Sequence, residues 1–264
     1  MFETEELTYE DRGSGDVPIV CLHGIGGNTN SFRHQLDKLS AETRVIAVNL
    51  PGYAGSKLIR PTTFEAIAYK VRDFLDALEI DQAVLLGQSI GGMVAMDFAI
   101  RFPERVDRLI LVGTTPAFGG KDDSFKQAFL KARLAPLDTG KTMAELAKDF
   151  VPEIVGPIAS PIDTEAAIQS MSEVPLDTYR EIISCLVTFN RRDDICNVDH
   201  ETLLIAGEFD KNAPAKTMQK MAEKMPNATY RLIDGAGHLI NLEAGRKTND
   251  IIREFLNLGG KNDQ

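Results

Sequence analysis

Six short runs rich in β-branched and aliphatic residues, at 17–22, 44–48, 82–86, 106–112, 202–206 and 229–233, alternate with longer segments whose apolar residues recur every three or four positions. That rhythm leaves little choice of architecture. Parallel strands need long crossover connections, helices supply them, and the helices then cover both faces of the sheet. Phe64, Ile67, Ala68, Val71, Phe74, Leu75 and Leu78 form one such helical stripe, and Met218, Met221, Ala222 and Met225 form another after Pro214. Ile251, Ile252 and Phe255 repeat the pattern near the end. The expected class is α/β, with a mostly parallel, doubly wound sheet. A chain of 264 residues that is 43% apolar can bury the core such a sheet requires.

One stretch breaks the rhythm. Between 116 and 190 no strand pattern occurs, and half of the twelve prolines fall there. Its pieces are helical, with Phe125, Ala128, Phe129 and Ala132 on one face and Tyr179, Ile182, Ile183, Leu186 and Val187 on another. The expected organisation is a core of residues 1–115 and 191–264, with residues 116–190 inserted as a helical cap. The closing GGKNDQ is expected to fray.

Charge narrows the partners. Lys and Arg number 29 against 39 Asp and Glu, and a net charge of -10 repels phosphate backbones and anionic headgroups. Neither nucleic acid nor membrane is expected as a partner. The opening MFETEELTYE lacks a basic region followed by an apolar one, so a cytoplasmic protein is expected. Cys21, Cys185 and Cys196 are far apart and lack paired spacing, and His23, His34, His200 and His238 include no H-x-x-x-H pair. No disulfide framework and no metal site are expected.

The chemistry gathers at strand ends. Gly87-Gln88-Ser89-Ile90-Gly91-Gly92 follows the strand run AVLL and precedes a helical pattern. A G-x-S-x-G in that context is a sharp turn that lifts a serine hydroxyl out of the sheet. Ser89 is the candidate nucleophile, and a serine needs a base to act at neutral pH. His238, in the small-residue loop Asp234-Gly235-Ala236-Gly237-His238 after the last strand, is the candidate base. Asp210, in Gly207-Glu208-Phe209-Asp210, is the candidate orienting acid, with Glu208 the nearest rival. The segment GTTPAF after Val112 offers no alternative acid. His23-Gly24-Ile25-Gly26-Gly27, directly after the first strand run, can turn backbone amides toward the same place. The amides of Ile90 and Ile25 are the candidate oxyanion hole, with Gly26 as the runner-up and in contact with substrate, while His23 is expected to hold the loop. His34 and His200 are expected to be surface or structural residues. Arg191 and Arg192 can either grip a substrate carboxylate or pair with Asp193 and Asp194.

The order Ser, Asp, His is that of the α/β-hydrolase superfamily. The segments LHGIGGNTNSF, NLPGYAGS, GQSIGGMVAMDFAIRFPERVDRLILVG, IAGEFDKNAP and GAGHLINLE resemble that family's landmarks in sequence over nearly the whole chain outside the insertion. The nearest flavour is similar to small serine esterases, 3-oxoadipate enol-lactonases and meta-cleavage carbon–carbon hydrolases. Asn49 stands where family members commonly carry Asp. The resemblance implies a cofactor-free carboxylesterase or enol-lactonase acting on a small molecule with an ester-like or activated carbonyl. The alternatives it leaves are carbon–carbon bond hydrolysis and a non-enzymatic ligand-binding role.

Overall fold

β-Branched runs become strands here because the middle of the sheet can bury both of their faces, as along the whole of β3 (Ile19–Leu22) and β7 (Thr202–Gly207). The structure, a computed structural model, describes residues 1–4, 6–119 and 123–259, so all of the closing GGKNDQ except Gly259 lies outside it. In chain order the strands are β1 (Phe2–Glu3), β2 (Thr8–Arg12), β3 (Ile19–Leu22), β4 (Val45–Val48), β5 (Ala83–Gln88), β6 (Val106–Val112), β7 (Thr202–Gly207) and β8 (Ala228–Ile233). The helices are α1 (Arg33–Lys38), α2 (Phe64–Ala77), α3 (Ile90–Arg101), α4 (Asp123–Asp138), α5 (Met143–Ile154), α6 (Pro161–Ser172), α7 (Leu176–Leu186), α8 (Ala215–Ala222), α9 (Ile240–Glu243) and α10 (Gly245–Leu256).

The strands form one sheet in the order β1-β2-β4-β3-β5-β6-β7-β8. From β4 to β8 all neighbours run parallel. Alternate side chains feed two cores, as a period of two dictates. Val20, Leu22, Leu85, Leu109, Leu111 and Leu204 pack on the face shared with α2 and α3. Cys21, Val84, Leu86, Ile110, Leu203 and Ile205 pack on the face shared with α1 and α10. The centre of the sheet is buried on both sides, which is why β3, β4, β5 and β7 read as continuous apolar runs, whereas β1, β2 and β8 at its margins are partly exposed.

Two strands were not expected. β2 (TYEDR) pairs antiparallel with β4, matching Tyr9 to Val48 and Arg12 to Val45, and β1 pairs antiparallel with β2. Only Thr8 and Tyr9 of β2 are buried; its Glu10, Asp11 and Arg12 run beyond the two-residue edge strand β1 and carry the charge of a sheet margin. Asn49 ties this edge to the core: its Oδ1 accepts from the Thr29 amide at 2.9 Å and its Nδ2 donates to Thr8 Oγ1 at 2.9 Å. Thr8 Oγ1 spends its own proton on Ala54 O at 2.9 Å, so a carboxylate at position 49 could accept from the Thr29 amide but could not donate to Thr8.

Helices α4 to α7 leave the sheet after β6 and return before β7. The ends of this excursion are laced together, Phe118 N donating to Phe189 O at 2.9 Å and Arg191 N to Pro116 O at 2.8 Å. Thr142 and Ser160 cap α5 and α6 through their hydroxyls.

Candidate active site

Ser89 sits between β5 and α3 with φ +56° and ψ -120°, a left-handed backbone that a non-glycine residue adopts only when its surroundings force it. They do so from β6. Ser89 N donates to Val112 O at 2.9 Å, and Thr114 Oγ1 donates to Ser89 O at 2.7 Å. The glycines are required by contact: a Cβ on Gly91 would lie 2.0 Å from Leu22 O, and one on Gly87 would lie 2.3 Å from Gly91 O. With bare backbone at both places, α3 can start against β3 and lift Ser89 above the strand ends.

The loop after β8 brings His238 to it. His238 Nε2 lies 2.9 Å from Ser89 Oγ, and Nδ1 lies 2.8 Å from Asp210 Oδ2. The other oxygen of Asp210 accepts from the amides of Asn212 (2.8 Å) and Ala213 (2.9 Å), fixing the carboxylate's plane. A carboxylate only accepts, so Nδ1 carries the ring proton and Nε2 is left to accept from the serine hydroxyl. Asp210 and His238 are both buried.

The His238 backbone is held as firmly as its ring. Its amide donates to Ile154 O at 2.7 Å, and its carbonyl accepts from Gln88 Nε2 at 2.9 Å. The buried carboxylate of Glu243 accepts from three amides, Gly156 (2.7 Å), Gly237 (2.8 Å) and Leu239 (2.8 Å). Burial pushes its carboxyl above the ordinary range, against the opposing pull of those amides and of His238. Glu243 thus joins the loop on both sides of His238 to the end of α5. Neither Gln88 nor Glu243 is singled out by a motif; the only sign of each in the sequence is a polar residue inside an apolar pattern, AVLLGQ and HLINLE.

The loop after β3 is set by His23. Its Nδ1 donates to Gly24 O at 2.8 Å, its Nε2 accepts from Leu50 N at 3.0 Å, and its ring meets Tyr53 edge-on. Burial lowers its pKa to about 4, with the bond to Gly24 opposing the fall. Tyr53 Oη donates to Ile25 O at 2.8 Å. In a trans peptide the N–H points opposite to the C=O, so tying back the carbonyls of Gly24 and Ile25 turns the amides of Ile25 and Gly26 away from His23 and Tyr53. Ile25 and Gly26 both line the cavity that contains Ser89. Ile90 opens α3, where a first-turn amide has no carbonyl one turn earlier to bind.

The remaining candidates are placed elsewhere. Glu208 accepts from Gly235 N at 2.9 Å, His34 Nε2 lies 2.8 Å from Asp163 Oδ1, and His200 Nε2 lies 2.9 Å from Pro103 O. Arg191 does not reach the cavity. Its fork is engaged by Asp97, buried inside α3, and by Asp194 at 3.0 Å. Asp97 also holds Arg101 at 2.7 Å. Sequence proximity suggested Asp193 and Asp194 as partners, but a buried carboxylate nearly a hundred residues away is the stronger acceptor. Arg192 does reach the cavity wall.

That cavity measures about 520 Å³ and lies between the strand ends and α4 to α7. Gly24, Ile25, Ser89 and His238 form its floor, while Phe118, Phe129, Phe150, Met171 and Tyr179 supply walls from the inserted segment. Among the described residues no helix is long and apolar enough to cross a membrane, and no cluster of three metal-ligating side chains occurs.

Comparison with known proteins gives a consistent picture. The family model described as alpha/beta hydrolase fold matches residues 17–245. The chain is 27% identical to 2-hydroxy-6-oxo-2,4-heptadienoate hydrolase of Pseudomonas putida, over 95% of this chain and 92% of that one. It is 28% identical to the dihydrolipoyllysine-residue acetyltransferase component of an acetoin cleaving system, also from Pseudomonas putida, over 94% of this chain, and spans 65% of that longer protein. Among solved structures, a thermophilic esterase from Thermogutta terrifontis superposes with a TM-score of 0.87 at 26% identity, covering 95% of this chain and 93% of that one.

Proposed function

Since this chain belongs to the alpha/beta hydrolase fold family, we propose that it is a serine hydrolase that cleaves a carboxylic ester or lactone through an acyl-enzyme. One observation carries the reading: Ser89 Oγ, His238 and Asp210 lie in a continuous hydrogen-bonded line, 2.9 and 2.8 Å per step, at the floor of a largely apolar cavity. His238 takes the Ser89 proton as Oγ attacks the carbonyl carbon. The negative charge that develops on the carbonyl oxygen is held by the amides of Ile25 and Ile90, with Gly26 beside them against the substrate. Collapse of the adduct breaks the carbon–oxygen bond, and His238 returns the proton to the leaving alcohol. Water, deprotonated by His238, then releases the acid and restores Ser89.

Residues 116–190 serve as a cap over a core of residues 1–115 and 191–264, since the aromatic walls of the cavity come from that segment. The substrate is a small molecule that fits between them. Three thiols without disulfide partners, two buried and Cys196 exposed, support a reducing, cytoplasmic setting.

The test uses a short p-nitrophenyl ester and a fluorophosphonate probe. Ser89→Ala is expected to lower kcat by on the order of 10^4-fold or more and to abolish labelling. Hydrolysis by Ser89→Ala at the rate of the unaltered protein would remove the proposal. Labelling of the unaltered protein with no turnover of any ester, lactone or vinylogous diketone would favour a ligand-binding role.

A further inference from the structure

The cavity above Ser89 is lopsided in charge. Arg133, Arg192 and Lys211 reach its wall, and among the described residues no Asp or Glu does, although the whole chain carries a net charge of -10. Arg192 and Lys211 are exposed, so water screens them. Arg133 is different. It is half-buried on α4, with its guanidinium carbon 3.9 Å from the centre of the Phe150 ring and 5.3 Å from that of Phe129. Burial lowers its pKa below the usual guanidinium range, with Tyr179 and Glu153 opposing weakly.

Among the described residues no side chain or carbonyl accepts a hydrogen bond from this cation. Arg180 pairs with Asp138, Arg191 pairs with Asp97 and Asp194, and exposed Arg192 reaches Gly119 O at 3.5 Å, whereas Arg133 makes no hydrogen bond or ion pair with a described residue. Aromatic faces stabilise a guanidinium but accept none of its five in-plane N–H bonds. A guanidinium partly withdrawn from water without an acceptor is destabilising, and one that faces a cavity recovers that cost when a ligand pairs with it. The planar fork matches a carboxylate with two parallel bonds. A phosphate dianion would carry about twice the charge into walls made of Phe118, Phe129, Phe150, Met171 and Ile183, at a steeper desolvation cost.

We propose that the substrate bears a carboxylate on an apolar chain, remote from the scissile carbonyl, and that Arg133 receives it. This specificity role rests on the hydrolase reading above, and the experiment separates the two. Mono-p-nitrophenyl adipate and its methyl ester differ only in the remote charge. The unaltered protein is expected to favour the acid in kcat/KM, and Arg133→Gln to lower the acid-to-methyl-ester ratio about 10- to 100-fold, mainly through KM. Arg133→Lys is expected to fall between, keeping the charge but losing the fork. Arg180→Gln, which removes one charge outside the cavity, is expected to leave the ratio unchanged.

Calorimetric binding of adipate provides an arm that needs no turnover, with affinity expected to drop at least tenfold in Arg133→Gln. An unaltered protein that prefers the methyl ester, or a ratio and an adipate affinity that ignore Arg133, overturns the inference while leaving ester hydrolysis standing. Loss of turnover in every protein with Arg133-dependent adipate binding intact would retire the hydrolase reading and keep the carboxylate site. Hexyl phosphate binding more tightly than adipate, in an Arg133-dependent way, would refute the choice of carboxylate. Should Arg133→Gln fail to fold, Arg133→Lys and Arg133→Met are read in the same manner.

Discussion

His23 makes acid sensitivity of this fold calculable. Its ring is fully buried, donates through Nδ1 to Gly24 O and accepts at Nε2 from Leu50 N, so a second proton has no place to go. Burial lowers its pKa from 6.5 to about 4. The unfolded chain therefore binds a proton at a pH where the folded chain refuses it. Stability from this group is complete above pH 6.5 and is lost as the pH falls from 6.5 toward 4. A difference of that size corresponds to about 3 kcal/mol across the window.

Carboxylates titrate in the same range, so the perturbation must isolate the imidazole. His23→Gln does this, because a neutral amide can donate to Gly24 O and accept from Leu50 N without titrating. Urea unfolding of both proteins at steps between pH 7.5 and 4 gives the two stability curves. At neutral pH the variant is expected to be the less stable, by about 1–2 kcal/mol for the poorer fit in a packed site. On acidification the unaltered protein should lose about 3 kcal/mol more than His23→Gln, so that the curves converge and cross. A difference between the curves that stays constant from pH 7.5 to 4 would refute the argument that burial keeps His23 neutral.

Two further expectations follow from the backbone around the triad. Glu243→Gln replaces one charged acceptor of three amides with a neutral group that turns an NH2 toward at least one of them, so a loss of about 2–3 kcal/mol and a Tm lower by about 4–12 °C are expected, together with a reduced kcat as the His238 loop loosens; an unchanged melting curve would count against a positioning role. Gly91→Ala drives a Cβ to 2.0 Å from Leu22 O, which forces α3 away from β3, so a destabilisation of about 3 kcal/mol or more and loss of fluorophosphonate labelling at Ser89 are expected, and full labelling at the native Tm would contradict the close approach.

Much of this protein is legible without coordinates because its signals are local. The central parallel strands announce themselves as apolar runs, since β3, β4, β5 and β7 are buried along their whole length, and the predicted helical stripes at 64–78 and 251–255 fall within or close to the observed α2 and α10. β2 escaped notice for the opposite reason: a strand next to the two-residue edge strand β1, with three partly or fully exposed residues out of five, has no need of an apolar pattern, and its pairing with β4 is a contact across more than thirty residues.

The motif around Ser89 declares its own turn, because glycine at 87 and 91 is demanded by steric contact within one strand–helix unit and with the neighbouring strand. Charge has no such local grammar. That Arg191 pairs with Asp97 and that Arg133 meets only aromatic faces among the described residues depends on where α3, α4 and α5 come to rest, since ionic partners are chosen by proximity in space rather than along the chain. Sequence alone thus indicated the six runs that become the parallel strands and the polar residues that stand near their ends; packing decided the order of strands in the sheet, which polar groups were consumed in holding the fold and which were left facing the cavity.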